Sequence, residues 1–321
     1  MKNEIKPIKN IIVTLGQEKK KNNFFKSVRL HKTLLIMLIP AIVYYIIFHY
    51  IPIYGIVIAF KNFSFSKGIW NSDWIGLVHF KRMFGSEFFL RAFKNTVIIS
   101  LYRLLFEFPI PIIFAIILNE LKNIYYKKIV QTISYLPFFL SWVVVAGVLY
   151  SFLNTQTGII NLIIKAMGKE PYLFMQSEKA FRSIIILSNI WKNMGWSSII
   201  YIATISTLDL SLYEAAKIDG AKRWQQIIYI TLPGLVPTIT ILLILKIGNI
   251  LNAGFDQIFV LYNPLVYNVA DIIDTYVYRV GLIENQWGFG TAVGLLKSIL
   301  SLILLFNADR FAKRMGQTGI W

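Results

Sequence analysis

The apolar residues fall in long, nearly uncharged stretches rather than in short alternating runs. Thr33–Phe60 holds no Asp, Glu, Lys or Arg. A helix needs about 20 mostly apolar residues to cross the hydrocarbon of a bilayer, so this stretch reads as a first membrane span. It exceeds the roughly 7–15-residue core of a signal peptide, and no small-residue cleavage site follows it, so it is expected to be retained. Five more stretches share the pattern: Asn95–Asn119, Ile129–Asn154, Ser183–Leu208, Leu235–Phe255 and Phe289–Phe306. Arg103 and Glu107 interrupt the second, and Lys192, Lys246 and Lys297 sit in the last three. The pattern predicts an all-α polytopic membrane protein with six transmembrane helices and both termini on one side. It divides into a basic tail (1–32), a six-helix domain (33–309) and a short C-terminal tail (310–321). Phe24–Leu30 could lie on the membrane as an amphipathic piece.

Composition agrees. The chain has 321 residues, of which 56% are apolar and 15% charged, against roughly 25% charged in soluble domains. Such a chain is not disordered. With no Cys and three His (His31, His49, His79), disulfide frameworks and Cys-ligated metals are excluded, a His site is disfavoured, and no metal is expected. The net charge of +17 suits anionic headgroups and the positive-inside bias better than nucleic acid, because no basic cluster interleaves with a soluble domain. Lys and Arg are more frequent on the side that holds the N-terminal tail, the 2–3 and 4–5 loops and the C-terminus. That side is therefore expected to be cytoplasmic, although the tail supplies half of its total. Trp70, Trp74, Tyr172, Phe174, Tyr267, Tyr276 and Trp287 on the other side suit an interfacial belt or a partner surface.

The 4–5 loop, 209–233, carries the most information. Ser211 can cap a short helix, with Glu214 three residues later closing a capping box. Glu214–Asp219 reads as that helix, and Gly220 offers the left-handed position that ends it. Ala221–Thr231 reads as a second short helix, and Pro233 falls near the start of the fifth span. Ala215 and Ala216 leave a small surface that another protein can approach closely.

Glu214, Ala215, Ala216, Gly220, Ile230, Leu232 and Pro233 stand at the spacing Glu-Ala-Ala, three residues, Gly, nine residues, Ile-x-Leu-Pro. This resembles the EAA loop of type I ABC importer permeases, placed here between two hydrophobic stretches. Trp142–Tyr150, Ile190–Trp196, Ile247–Phe259 and Ile273–Leu282 are similar to the LplB-like branch of carbohydrate permeases. So are Pro52–Lys61 and the end Gly316–Trp321. The resemblance runs from about residue 33 to 321 and implies a six-helix permease in a bacterial cytoplasmic membrane. It implies a second homologous permease subunit, two ATPase subunits, an extracellular sugar-binding lipoprotein and an oligosaccharide substrate. The coupling contacts it implies are Glu214, Ala215, Ala216, Asp219, Gly220, Ala221, Leu232 and Pro233. No cofactor is expected on this chain, since ATP and Mg would sit on the ATPase subunits. The chain itself lacks a phosphate-binding G-x-x-x-x-G-K-[ST] run and any triad spacing. An intramembrane enzyme, using Arg103, Glu107, Lys192 or Lys246, and a channel or secondary transporter are the alternatives, and neither needs the EAA-like loop.

Arg103 and Glu107 depart from the family pattern. At i and i+4 they can neutralise each other or mark the translocation path. Sugars are held by amides, carboxylates and aromatic faces. Helix four offers Asn189, Trp191, Lys192, Asn193 and Trp196, helix five offers Lys246, Asn249, Asn252, Asp256 and Gln257, and Tyr102 on helix two could join them. Trp191, Asn193, Asn249, Asn252, Asp256 and Tyr102 are the path candidates. Asn249, Asn252 and Asp256 would share one face of a continuous helix. The alternative is that such amides bond helix to helix. Arg103, Lys192, Lys246 and Lys297 outnumber the acids of the spans, which would suit uronate-bearing oligosaccharides unless these cations snorkel or pair.

Overall fold

The computed structural model describes residues 31–317 and residue 319. Nearly all of the basic tail, the Phe24–Leu30 piece and part of the C-terminal run therefore lie outside the described residues. The chain forms two units, one ending at Ile56 and the other starting at Val57. Helix dominates throughout. Among the described residues, strand is confined to Lys61–Asn62 pairing antiparallel with Asp73–Trp74, Lys61 opposite Trp74.

Among the described residues four helical stretches are long and apolar enough to cross a membrane unbroken: Lys32–Phe60 (span 1), Glu87–Glu120 (span 2), Arg223–Gly248 (span 5) and Trp287–Arg314 (span 6). Span 4, Glu178–Ser206, meets Leu210–Ile218 at 70°. Span 3 is broken: Ile124–Phe139 and Trp142–Leu153 meet at 104°, where a single helix over 129–154 is expected from the sequence. The break follows from Pro137, which supplies no N–H, and from Ser141, whose Oγ caps the second piece by accepting from Val144 N at 3.3 Å.

Span 4 stabilises that break. Lys192 Nζ donates to the carbonyl of Phe138 at 2.6 Å and lies over the rings of Phe138 and Trp142. The Phe138 ring stacks on Trp196 at 4.5 Å. Gly195 faces the backbone of Ser134, and a β-carbon there would lie 2.2 Å from its carbonyl oxygen. Small residues at such crossings let helix backbones approach closely in a membrane.

Three spans share one distortion. π-turns at Ile46–Tyr50, Arg103–Glu107 and Ile227–Thr231 each end two residues before a proline, at Pro52, Pro109 and Pro233. In each case the residue just before the proline donates its N–H five residues back, Ile51 to Ile46, Phe108 to Arg103 and Leu232 to Ile227. A proline offers no N–H and its ring crowds the carbonyl four residues earlier. A widened turn relieves that crowding without ending the helix.

The second unit has three buried apolar clusters. One joins Ile99, Phe181, Ile185, Ile258 and Ile272. A second joins Met83, Phe89, Tyr276 and Phe289 near the 1–2 and 5–6 loops. The third joins Ile112, Tyr201 and Leu235 where spans 2, 4 and 5 meet.

Candidate functional site

The 4–5 loop forms a helix over Leu210–Ile218. Its cap is Asp209, whose Oδ1 accepts from Ser211 N at 2.9 Å, so Ser211 lies inside the helix and makes no capping box with Glu214. That bond holds the Asp209 carboxyl below the usual carboxylate range. At the other end Gly220 has φ +79°. Its N–H reaches Lys217 O at 3.1 Å, and Ala221 N reaches Ala216 O at 2.8 Å. These are the two bonds of a Schellman motif. The spacing of the EAA-like motif thus has a mechanical reason. Its second Ala supplies the carbonyl that closes the motif, and its Gly is the left-handed residue that lets the chain turn. Gly220 has nothing within 4 Å of a β-carbon position.

The loop is tied to the bundle at two points. Tyr213 Oη meets Thr231 Oγ1 at 2.8 Å, at the end of the span 5 π-turn. Arg223 pairs with Glu120, the last residue of span 2, at 2.6 Å. Ala221–Thr231 is not a separate second helix, because the helix starting at Arg223 runs through the π-turn directly into span 5. Glu214, Ala215, Asp219, Leu232 and Pro233 are exposed, and Ala216 and Ala221 are half-buried. Leu210, Leu212 and Ile218 add an exposed apolar surface to the short helix.

A polar network joins spans 2 and 4 to the helix Phe255–Leu261 that follows span 5. Asn193 Nδ2 donates to Asn189 Oδ1 at 2.8 Å, and Asn189 Nδ2 donates to Glu107 Oε2 at 2.6 Å. Arg103 Nε lies 3.7 Å from Glu107 Oε1, an i,i+4 pair. Arg103 also donates to Gln257 Oε1 at 2.5 Å, and Gln257 Nε2 bonds Ser188 Oγ and Ile185 O. Gly254, at φ +87°, makes room for this arginine, since a β-carbon there would lie 2.5–2.8 Å from the guanidinium. A cavity of about 280 Å³ lined by Arg103, Glu107, Asn189, Asn193 and Lys246 opens beside the network.

The path candidates are distributed over several surfaces. Span 5 ends at Gly248, and a turn over 249–254 precedes a new helix, Phe255–Leu261. Asn249, Asn252 and Asp256 therefore do not share one helix face. Asn249 and Asn252 line a cavity of about 470 Å³ with Asp274 and Lys297. Asp256 lines another, of about 560 Å³, with Asn193, Lys192 and Phe259. Trp191 and Tyr102 are about two-fifths exposed on their helices, outside these cavities. The cations of the spans are mostly partnered: Lys297 with Asp274 at 2.5 Å, Lys192 with carbonyls, Arg103 with Glu107 and Gln257. Two of the four span cations, Arg103 and Lys297, are thus paired with carboxylates inside the chain.

One cluster is assembled only by the fold. Arg82, Arg91 and Arg279 converge between the start of span 2 and the segment before span 6. Their only trace in the sequence is in the charge count of the loops, because the three lie far apart along the chain.

A helical membrane bundle with a capped, tethered turn protruding between its fourth and fifth spans is a transport permease in form. Residues 107–317 match the pattern of the binding-protein-dependent transport system inner membrane component family, and the chain belongs to that family. It is 43% identical over 309 residues to the polygalacturonan/rhamnogalacturonan transport system permease protein YteP of Bacillus subtilis, covering 96% of both chains. It is 40% identical over 299 residues to protein LplB of the same organism, covering 93% of this chain and 94% of LplB. Among solved structures it resembles a chain of a bacterial ABC transporter involved in import of the acidic polysaccharide alginate. The TM-score is 0.85 at 42% identity, over 91% of this chain and 99% of that one. A structure of bacterial alginate ABC transporter in complex with alginate pentasaccharide-bound periplasmic protein matches equally, at TM-score 0.85 and 41% identity, over 92% and 99%. The chain is thus the permease component of a binding-protein-dependent importer and not an enzyme.

Proposed function

We propose that this chain is one of two homologous permease subunits of an ATP-driven importer of uronate-bearing oligosaccharides in the bacterial cytoplasmic membrane. The 209–233 loop lies on the cytoplasmic side and docks in a cleft of a separate ATPase subunit, which carries ATP and Mg. A binding lipoprotein delivers the oligosaccharide to the opposite face. ATP-driven closure of the ATPase pair moves the loop, and hydrolysis resets it. The ATPase shifts the permease between two states only through differential contact with each.

The observation that carries the coupling reading is the Schellman closure of Leu210–Ile218 at Gly220, with its ties to span 5 through Tyr213–Thr231 and to span 2 through Arg223–Glu120. Force on the short helix enters two spans directly. The substrate class is supported by the two polyuronates, polygalacturonan and alginate, named for similar proteins.

The test is ATPase activity and uptake by the complete transporter in proteoliposomes with its binding protein. Galacturonate and alginate oligosaccharides should stimulate both, and neutral oligosaccharides should not. Gly220→Val should reach the membrane but lose uptake, because a β-carbon at positive φ costs roughly 1–2 kcal/mol and a branched side chain re-aims the loop. Full uptake by Gly220→Val with the ATPase retained would overturn the coupling assignment.

A further inference from the structure

The cavity beside Arg82, Arg91 and Arg279 measures about 410 Å³ and is also lined by Tyr267, Tyr276 and Ser86. Its walls come from the loop before span 2, the first turns of span 2 and the segment before span 6, one crossing away from the 4–5 loop. It therefore opens on the face opposite the coupling turn.

Three guanidinium groups in one pocket repel one another unless something anionic joins them. Arg279 has a partner, since it pairs with the fully buried Asp271 at 2.5 Å. Among the described residues Arg82 and Arg91 have no carboxylate within 4.0 Å. The Nε of Arg91 is buried and makes no hydrogen bond. Glu284 is the one acid lining the cavity.

The arginines are also held in place before any ligand arrives. Arg279 lies over the rings of Tyr267 and Tyr276, at 5.2 and 5.8 Å. Arg91 lies over Phe88 at 5.3 Å and bonds Asn268 Oδ1 at 2.9 Å. Arg82 lies over Phe289 at 5.2 Å. A guanidinium fixed against a ring presents its planar fork with little further loss of side-chain freedom, and that fork matches a carboxylate in two-point contact. The volume exceeds what a single carboxylate side chain fills.

We infer that this pocket is a hand-off subsite for a uronate unit, in which Arg82 and Arg91 take the carboxylate and Arg279, fixed against Tyr267 and Tyr276, adds to the positive field. The inference rests on the uronate reading above and adds a place and named contacts to it. A positive pocket on the delivery face raises the local concentration of a polyanion before it enters the bundle.

The chain's lack of Cys gives a direct probe. Ser86→Cys places one thiol at the pocket, and labelling with an uncharged maleimide is followed on this chain within the whole transporter, without binding protein. Trigalacturonate should slow labelling, and galactotriose should not. Adding Arg82→Gln with Arg91→Gln should weaken that protection about tenfold or more in concentration, as loss of a charge-assisted hydrogen bond implies. Co-purification with the partner subunits reports assembly, and the Ser86→Cys protein alone already decides whether uronate protects. Equal protection by both sugars, or none by either, overturns the subsite. Protection by ligand-free binding protein alone makes the pocket a protein contact and also overturns it. Slow labelling in phosphatidylglycerol discs but not phosphatidylcholine discs, indifferent to sugar, assigns it to a lipid headgroup, with the same result. Uptake separates the two readings. If the transporter imports uronate oligosaccharides but trigalacturonate gives no protection, only the subsite fails. If it imports neutral sugars alone, both fail.

Discussion

Single residues show where sequence reasoning stops. Gly220 is legible because its role is local: a left-handed residue closing a helix leaves its mark within six positions. Gly254 and Gly195 are not legible in that way. Each is needed because a group from another helix, the Arg103 guanidinium or the Ser134 carbonyl, occupies the space a β-carbon would take. Asn161 is a third case. It is fully buried, and its Nδ2 donates to Leu153 O, Asn154 O and Tyr172 O, while its Oδ1 accepts from Tyr172 N. One side chain thus holds the 3–4 loop against the end of span 3. Leaving buried backbone groups unpaired costs on the order of 1–3 kcal/mol each. Asn161→Leu is nearly isosteric and apolar, so it should lower the thermal midpoint of the detergent-purified protein clearly. An exposed control, Asn307→Leu, bonded only to Ile303 O one turn back, should not.

At the scale of elements, six apolar stretches were legible, and their breaks were not. Hydropathy reports that a segment belongs in the membrane, but a 104° bend depends on what satisfies the carbonyls it frees. In span 3 that is Lys192, a residue whose charge reads equally as a substrate contact until its partner is seen. The short helix 210–218 was legible in type, yet its cap moved from Ser211 to Asp209, because both residues can cap and tertiary placement chose between them. Asp209 is charged at neutral pH, and its depressed pKa means the cap contribution is lost only as pH falls through that lowered value. Asp209→Asn keeps an acceptor and should couple normally, whereas Asp209→Ala should reduce ATPase-dependent uptake. The break in span 3 offers a sharper check. Gly195→Ala forces the Ser134 backbone away, and overpacking of this kind typically costs about 1–3 kcal/mol. Thermal unfolding of the purified complex should show the loss, and Gly147→Ala, which meets nothing within 4 Å, should be silent. Equal behaviour of the two variants would mean that the close approach of spans 3 and 4 does not hold in the membrane.

For the whole molecule the open variable is which way it faces. Lys and Arg are more frequent on the side of the N-terminal tail and the 4–5 loop, but the tail supplies half of that side's total. The structure adds an independent constraint through connectivity. The segments before span 2 and before span 6 meet in one arginine pocket, so they share a face, and the 4–5 loop is one crossing away. Orientation is therefore a single binary choice for all the loops together, and one measurement fixes it. In the Cys-free chain, Ser66→Cys and Lys169→Cys sit at exposed positions on one face, and Lys217→Cys is exposed on the short helix of the other. With the coupling loop inside, an impermeant maleimide should label the first two in intact cells and Lys217→Cys only after the membrane is opened. The reverse pattern would put the arginine pocket in the cytoplasm, where no delivered substrate meets it, and the EAA-like loop outside, where no ATPase can reach it. Labelling of Ser66→Cys and Lys217→Cys alike in intact cells would mean an odd number of crossings does not separate them, and span 3 or span 4 would then be re-entrant rather than spanning.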